Sequence, residues 1–373
     1  MDSLGIILKR GHGDKRNNLS RVKETARLLG LQKLPFKTIH IAGTNGKGTT
    51  AVLLAATLKN AGFKTGLFIS PHVYDITERV QISGVKISPE NLDFYVSRVL
   101  AKETAALNFF EVLTLAALLY FRAQKVDFAV IECGIGGLKD STNIFTPALS
   151  IITSIDIDHA NILGSAIVKI AAQKAGIIKR DVPCICGPLS ARAKAVIKKE
   201  AARNKSPLKI LPRVENAFLQ NAAIAFAAAK MFGVKEEAFK TAARNFKMPA
   251  RFEICKLGHK TIIKDGAHNP AAIKEFLKVY LKSPYCSREN TLVYAASADK
   301  DYKKAAKLLA PRFKNIILTS VGGLRPQILQ KYFKNASAAP VESITKTGLK
   351  RLQGNIVVLG SFYLAGKIPH IPS

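Results

Sequence analysis

The chain has 373 residues, 48% of them hydrophobic and 22% charged, an ordinary globular composition with enough length for two domains. Lysine and arginine number 57 against 26 acidic residues, a net charge of +31, which suits anionic ligands such as nucleotides or polyacidic substrates. The lysines are scattered through helix-like stretches ("AKAVIKKEAARNK", "DYKKAAKLL") with no zinc-finger or RNA-recognition signature, so a solvated surface is the simpler account and a nucleic-acid partner is not expected.

In chain order, the N-terminal "MDSLGIILKR" has too short an apolar core for a secretory signal. Short Val/Ile-rich runs at 38–43, 64–70, 127–134, 148–156 and 182–187 read as strands. Helical patterns lie between and beyond them at 47–60, 89–106, 110–124, 166–179, 190–204 and 218–232. The stretch "VLTLAALLYF" (112–121) reads as a buried helix, since no apolar run approaches the roughly 18 to 20 residues of a membrane span. Strands alternating with helices, and apolar on both faces, predict a mainly parallel sheet covered on each side. The pattern pauses at "ARNFKMPARFEI" (243–254) and restarts with strands at 260–264, 290–296, 315–319 and 355–360 and helices at 270–281, 301–311 and 326–333. The expected architecture is α/β: an N-terminal phosphate-loop domain with a mostly parallel sheet over 1–246, and a smaller doubly wound domain over 247–373. The five cysteines have no regular spacing, which argues against a disulfide framework and for a reducing cytoplasm. Cys184 and Cys186 are read as alternate faces of one buried strand.

The stretch "IHIAGTNGKGTTAVLL" (39–54) places a glycine-rich turn with one lysine between a strand and a helix. Glycines let backbone N–H groups turn toward an anion, the helix start adds free N–H groups and a positive dipole end, and Lys47 adds a point charge. A hydroxyl one turn into the helix suits Mg²⁺. The common G-x-x-x-x-G-K-[ST] pattern would need glycine at 41 and a hydroxyl at 48, where Ile41 and Gly48 stand. Gly43-Thr44-Asn45-Gly46-Lys47-Gly48-Thr49 is therefore a variant, read as a nucleotide phosphate site, with a purely structural turn as the alternative.

This G-T-N-G-K-G-T variant resembles the Mur-ligase superfamily, and within it the folylpolyglutamate synthase/dihydrofolate synthase family. The resemblance extends through "FISPHVYDITERVQISG" (68–84), "FFEVLTLAALLYF", "IECGIGGLKDSTN", "TSIDIDHANILG" and "AAQKAGIIK", then "PARFE", "KDGAHNP", "ADKD" and "GSFYLAG". Several motifs in the right order are more specific than any one of them. The resemblance implies ATP- and Mg²⁺-dependent joining of L-glutamate to dihydropteroate, to reduced folates, or to both. The acid would be activated as an acyl phosphate, with positioning and electrostatics supplying most of the acceleration.

The same resemblance implies roles for individual residues. Ser70, Glu132 and His159 would hold Mg²⁺, although histidine is an unusual ligand for an oxygen-seeking cation. Read without the family, Glu132 is a costly charge at the end of an apolar strand, where open sheets bind ligands, and His159 is a general base or a structural histidine. Lys174, a surface lysine by spacing alone, would be carbamylated and reach a second Mg²⁺. That role requires a neutral amine, and hence burial. Lys47, Lys174 and His159 are the catalytic candidates. Asn221, Arg251, Asp265 and His268 would join the turn 43–49 in holding the nucleotide. Glu78, Arg79, Phe110 and Asp140 would serve the substrate, although Glu78 and Arg79 also read as a surface pair and Phe109 and Phe110 as core.

Three departures from the family pattern stand out. Ala217 and Phe218 replace a His-Gln pair before Asn221, Leu138-Lys139 stands before the D-x-T-N motif where Arg-Leu is usual, and the segment from Gly187 to Asn221 is short. Two other activities fit the same motifs: a Mur-type ligase with a different acidic acceptor, and a phosphate-loop ATPase that binds nucleic acid. A chain that binds nucleotide without catalysis is a third. The expected partners are small molecules, without a membrane, and the expected state is a monomer.

Overall fold

The apolar run before the glycine-rich turn forms β1 (Lys37–Ala42) at the centre of an eight-stranded sheet in a computed structural model, which describes residues 2–11, 19–157 and 166–368. The other strands are β2 (Thr65–Phe68), β3 (Val80–Ile82), β4 (Val85–Lys86), β5 (Phe128–Glu132), β6 (Leu149–Ile152), β7 (Cys184–Cys186) and β8 (Leu208–Ile210). Their order is β4-β3-β2-β5-β1-β6-β7-β8. β1 pairs in parallel with β5 and with β6, in registers that set Ile41 beside Glu132 and Ala42 beside Ile152. The connections leaving β1 and β5 run to opposite sides of β1, the arrangement that opens a crevice at carboxyl strand ends.

Alternation along the strands feeds two cores. Ile39, Ile41, Ile151 and Ile185 pack with Leu53, Leu54 and Leu58 of the helix Lys47–Asn60 and with Ile224, Ala225 and Ala228 of the helix Ala217–Lys230. Ala42, Cys133, Ile152, Cys184 and Cys186 face the opposite layer, with Ile170 and Ile197. Cys184 and Cys186 thus share one face, their sulfurs 3.8 Å apart, and the expectation of alternate faces is corrected: residues two apart in a strand point the same way. Fully buried leucines such as Leu53 and Leu58 each contribute about 2–3 kcal/mol of apolar transfer. The stretch 112–121 is a buried helix as expected, Phe109–Ala123, started by a capping box in which the Asn108 side chain accepts from Phe110 N and Glu111 N while Glu111 accepts from Asn108 N.

The antiparallel edge β2-β3-β4 was not anticipated. Its β3–β4 turn sits on Ser83 and Gly84, both at positive φ (49° and 82°), the geometry of a tight primed hairpin.

The chain divides into two compact units. Of the described residues, the first unit holds those up to Ser70, Thr77–Ile157 and those from 166 to Phe246; the second holds Pro71–Ile76 and those from Lys247. The second unit has β9 (Glu253–Leu257), β10 (Lys260–Lys264), β11 (Thr291–Tyr294), β12 (Asn315–Leu318), β13 (Ala336–Ala338) and β14 (Ile356–Leu359), in the order β13-β12-β11-β14-β10-β9. All pairs are parallel except β9–β10, which turn at Gly258. Within this unit the Tyr74 hydroxyl donates to Glu253 at 2.9 Å, and the fully buried Lys264 ammonium donates to the Tyr74 oxygen at 3.2 Å.

Candidate active site

β1 ends at Ala42, and the next four residues, Gly43 to Gly46, form a turn stitched to the segment after β6. Thr44 N donates to Ser154 O (2.9 Å), Asn45 N donates to the Ser154 hydroxyl (3.0 Å), and the Thr153 hydroxyl donates to Asn45 O (2.7 Å). The expected strand 148–156 therefore stops at Ile152, because Thr153, Ser154 and Asp156 are used to hold this turn. A Cβ on Gly43 would lie 1.9 Å from Thr153 Oγ1. Gly46 has φ +86°, and a Cβ there would lie 2.2 Å from Asn221 Oδ1. The helix Lys47–Asn60 begins immediately after, and its N-cap, Gly46, has no side chain to cap the first N–H groups. Left-handed glycine, close backbone and an uncapped helix start together make an anion cradle.

Lys47 Nζ lies 4.0 Å from Glu132 Oε1, and Glu132, at the end of β5, is buried. The other Glu132 oxygen accepts from Ser70 N at 2.9 Å, so Ser70 and Glu132 adjoin as anticipated. Their donors are oxygens, which fit Mg²⁺; that ion uses few protein ligands and completes its shell with water and phosphate. Among the described residues no group of three or more His, Cys, Asp and Glu side chains forms a metal cluster. His159 lies outside the described residues. Lys174 is only 2% exposed, in the last turn of the helix Ile167–Ala175, and its ammonium donates to Gly43 O at 2.8 Å. The surface-lysine reading is thereby overturned: the small residues beside Lys174 let the helix pack closely enough to bury it.

The glycine-rich turn after β5 is pinned by Asp140, which accepts from Ile135 N (2.9 Å) on one oxygen and from Thr142 N (3.0 Å) and the Thr142 hydroxyl (2.5 Å) on the other. Burial pushes the Asp140 carboxyl up, while these hydrogen bonds oppose the shift. The Phe110 ring lies tilted against Phe68 (5.5 Å between centres) and covers Gly134, where a Cβ would lie 2.7 Å from the ring. Glu78 and Arg79 form a short 3₁₀ turn, Ile76–Arg79, entering β3, and both are buried, contrary to the surface-pair reading. The Arg79 guanidinium lies 5.1 Å from the centre of the Phe109 ring.

In the second unit, Ala250 and Phe252 flank Arg251 at positive φ (52° and 46°). Such non-glycine positions cost roughly 1–3 kcal/mol each and gather at functional sites. The bend is held by Gly266 N donating to Ala250 O and Phe252 N donating to Asp265, both at 2.8 Å. Asp265 also accepts from Ala267 N (2.8 Å), and burial pushes its carboxyl up, Arg251 partly offsetting this. His268 Nδ1 lies 2.8 Å from Gly266 O. Arg251 lies over Phe362 at 4.7 Å, and its buried Nε has no hydrogen-bond partner among the described residues.

One group escaped the sequence reading. His40, inside β1 and fully buried, sets its Nε2 2.8 Å from Thr142 Oγ1 and 3.0 Å from Cys133 Sγ. Burial, helped by the Lys179 charge, pushes its pKa down to about 3. The only available signal was a polar residue in an apolar strand, which does not reveal its partners. The departures from the family pattern also find places. Ala217 and Phe218 occupy the exposed first turn of the helix Ala217–Lys230, Phe218 against Phe246, while Asn221 is buried one turn later beside Gly46. Leu138 packs against Gly176, and Gly187 to Asn221 holds one complete helix, Ala191–Arg203, and β8.

Residues 41–249 match the Mur ligase middle domain family. The chain is 31% identical over 337 residues to the dihydrofolate synthase/folylpolyglutamate synthase of Bacillus subtilis, covering 78% of each chain. It is 31% identical over 416 aligned positions to the folylpolyglutamate synthase of Lacticaseibacillus casei, covering 95% and 94%. Among solved structures it superposes on E. coli FolC in complex with DHPP and ADP (TM-score 0.86, 26% identity, 98% and 96% covered). It also superposes on Mycobacterium tuberculosis folylpolyglutamate synthase complexed with ADP and AMPPCP (TM-score 0.87, 25% identity, 100% and 99% covered). A phosphate cradle of this form, an acidic strand end beside it, and likeness running the length of both chains identify the chain as a member of the Mur ligase family, in its folylpolyglutamate synthase/dihydrofolate synthase branch.

Proposed function

We propose that the protein is an ATP-dependent ligase that joins L-glutamate to dihydropteroate, to a reduced folate, or to both. The observation that carries this is the convergence of the Gly43–Thr49 cradle, Lys47, Glu132 and Ser70 with a buried Lys174 tied to the cradle. An acceptor carboxylate oxygen attacks the γ-phosphorus of ATP and ADP departs. The glutamate amine then attacks the acyl carbon, loses a proton, and phosphate leaves as the amide forms. Backbone N–H groups of the cradle and the Lys47 ammonium hold the phosphates and absorb the charge that develops there. Ser70, Glu132 and His159 would hold Mg²⁺, which would supply charge neutralisation for the phosphates.

Lys174 fits the carbamylated form in one respect, its burial. Asn221, Arg251, Asp265 and His268 are assigned to the nucleotide, Arg251 on the support of its unsatisfied Nε. Phe110, Glu78 and Arg79 are assigned to the acceptor side. Asp140 has internal partners on both oxygens and shapes the turn instead of touching substrate. Five free thiols suit a reducing, ATP-supplied compartment, the cytoplasm, and the state assigned to the protein there is a monomer.

The test is a product assay with ATP, Mg²⁺, radiolabelled glutamate and each pterin acceptor in parallel, with Lys47→Ala as control. Labelled amide product and phosphate should appear only when acceptor and glutamate are both present, and not with Lys47→Ala. ATP hydrolysis stimulated by RNA or DNA, without amide product, would overturn the reading.

A further inference from the structure

His40 is fully buried, and its ring is the head of an ordered chain of hydrogen bonds. The Thr142 hydroxyl has one proton, and Asp140 Oδ1 at 2.5 Å is a far closer acceptor than Cys133 Sγ at 3.5 Å; with the proton given to Asp140, the hydroxyl accepts from His40 at 2.8 Å. Nε2 therefore carries the ring proton, and Nδ1, which has no hydrogen-bond partner among the described residues, is bare. Asp140 passes the constraint to Ile135 N. The result is a fixed turn, 133–143, starting at the residue after Glu132.

The far side of that turn is wedged against the helix that carries Lys174. Leu138 N donates to Gln173 O at 2.7 Å, and a Cβ on Gly137 would lie 2.9 Å from Gln173 O and 3.2 Å from Lys174 O. Asn143 Nδ2 donates to Leu138 O (3.0 Å) and Gly176 O (3.2 Å). Lys174 then reaches Gly43 O, closing a ring of contacts back to the end of β1, the strand that bears His40.

We infer that His40, Thr142 and Asp140 form a buried positioning relay that sets the Lys174 ammonium and the Glu132 carboxylate against the phosphate cradle, with none of the three touching substrate. In its effect on turnover the inference rests on the ligase reading above; in its effect on Lys174 it does not. Buried hydrogen bonds of this kind orient the groups in front of them; where the oriented group is a metal ligand, their loss typically costs tenfold to a hundredfold in activity, the scale expected here.

The test compares Thr142→Val, which keeps the shape and removes the hydroxyl, with Thr142→Ser, which keeps the hydroxyl, and His40→Gln, whose amide nitrogen can replace Nε2. Two readouts are taken. The first is acylation of Lys174 by a small amine-reactive ester, followed by peptide mass spectrometry on the full-length protein. The second is the split between kcat and the KM for ATP. Thr142→Val should label Lys174 severalfold faster than wild type and lose roughly tenfold to a hundredfold in kcat, with KM for ATP within about threefold. Thr142→Ser and His40→Gln should recover most of both. Equal Lys174 labelling in wild type and Thr142→Val would overturn the relay, whatever the assay for amide product shows. A parallel rise in KM and loss of folded protein in Thr142→Ser as well would also overturn it, leaving the three residues with a merely structural role. If no variant and no wild-type preparation makes amide product while labelling responds as expected, the ligase reading fails and the relay stands.

Discussion

The Lys174 ammonium donates to the Gly43 carbonyl at 2.8 Å, joining the last turn of one helix to the first residue of the phosphate cradle. Removing the amine should disturb chemistry more than folding. Lys174→Ala should lower kcat by a hundredfold or more, on the order of one lost oxyanion-type contact. If the lysine carries a carboxylate when active, formate or acetate should restore part of the loss. Near-normal turnover in the variant would remove Lys174 from the reaction.

Glu132 has one oxygen committed to Ser70 N and the other facing Lys47. Glutamine preserves the shape and an acceptor for the Ser70 amide but removes the charge. Glu132→Gln should raise the Mg²⁺ concentration for half-maximal activity at least tenfold, while ADP binding without metal changes little. An unaltered Mg²⁺ titration would take Glu132 out of the metal site.

Gly46 and Gly62 both have positive φ, +86° and +93°, but only Gly46 has a neighbour in the way. Gly62→Ala should cost about 1–2 kcal/mol of stability and leave ADP affinity intact. Gly46→Ala pays the same conformational cost and must also displace Asn221, so ADP affinity should fall more than tenfold. Calorimetric ADP titration of the two proteins, beside their thermal melts, separates the effects.

His40 has a pKa near 3 in the fold against about 6.5 in an unfolded chain. Above pH 6.5 both states are neutral and the fold carries no penalty. As the pH falls below 6.5 the unfolded chain takes up a proton that the folded ring refuses, so stability is lost at up to about 1.4 kcal/mol per pH unit until the ring itself titrates. Urea unfolding of wild type and His40→Gln between pH 6.5 and 4 should show a slope shallower by close to one proton in the variant. Comparing the two proteins cancels the contribution of Asp140, whose raised pKa acts in the opposite direction. Identical slopes would mean that His40 is not buried neutral.

The parts readable from sequence were those in which neighbours in the chain are neighbours in space. Gly43 to Thr49 is contiguous, and strand, turn and helix are all local, so its form and place at a strand end could be anticipated. Glu132 was readable because a charge at the end of an apolar run is costly unless used. Lys174 was not, because its burial depends on the fit between Gly176 and Leu138 and on the turn 133–143, none of which its spacing records. The edge pair β3–β4 and strand β9 were missed because short antiparallel strands next to a tight turn have too few residues to show a period. The His40 chain joins positions about a hundred residues apart, beyond the reach of any local pattern.

Tyr74 sits between Glu253 and Lys264, in a six-residue excursion of the chain bounded by Ser70 and Thr77. No single cut therefore separates the two units. A fragment ending at Phe246 would carry a tyrosine stripped of its acid and its amine, and the complementary piece would keep a fully sequestered lysine robbed of a hydroxyl. Dissection, permutation or modular exchange within this chain has to respect that threading, or rebuild the surface it leaves bare.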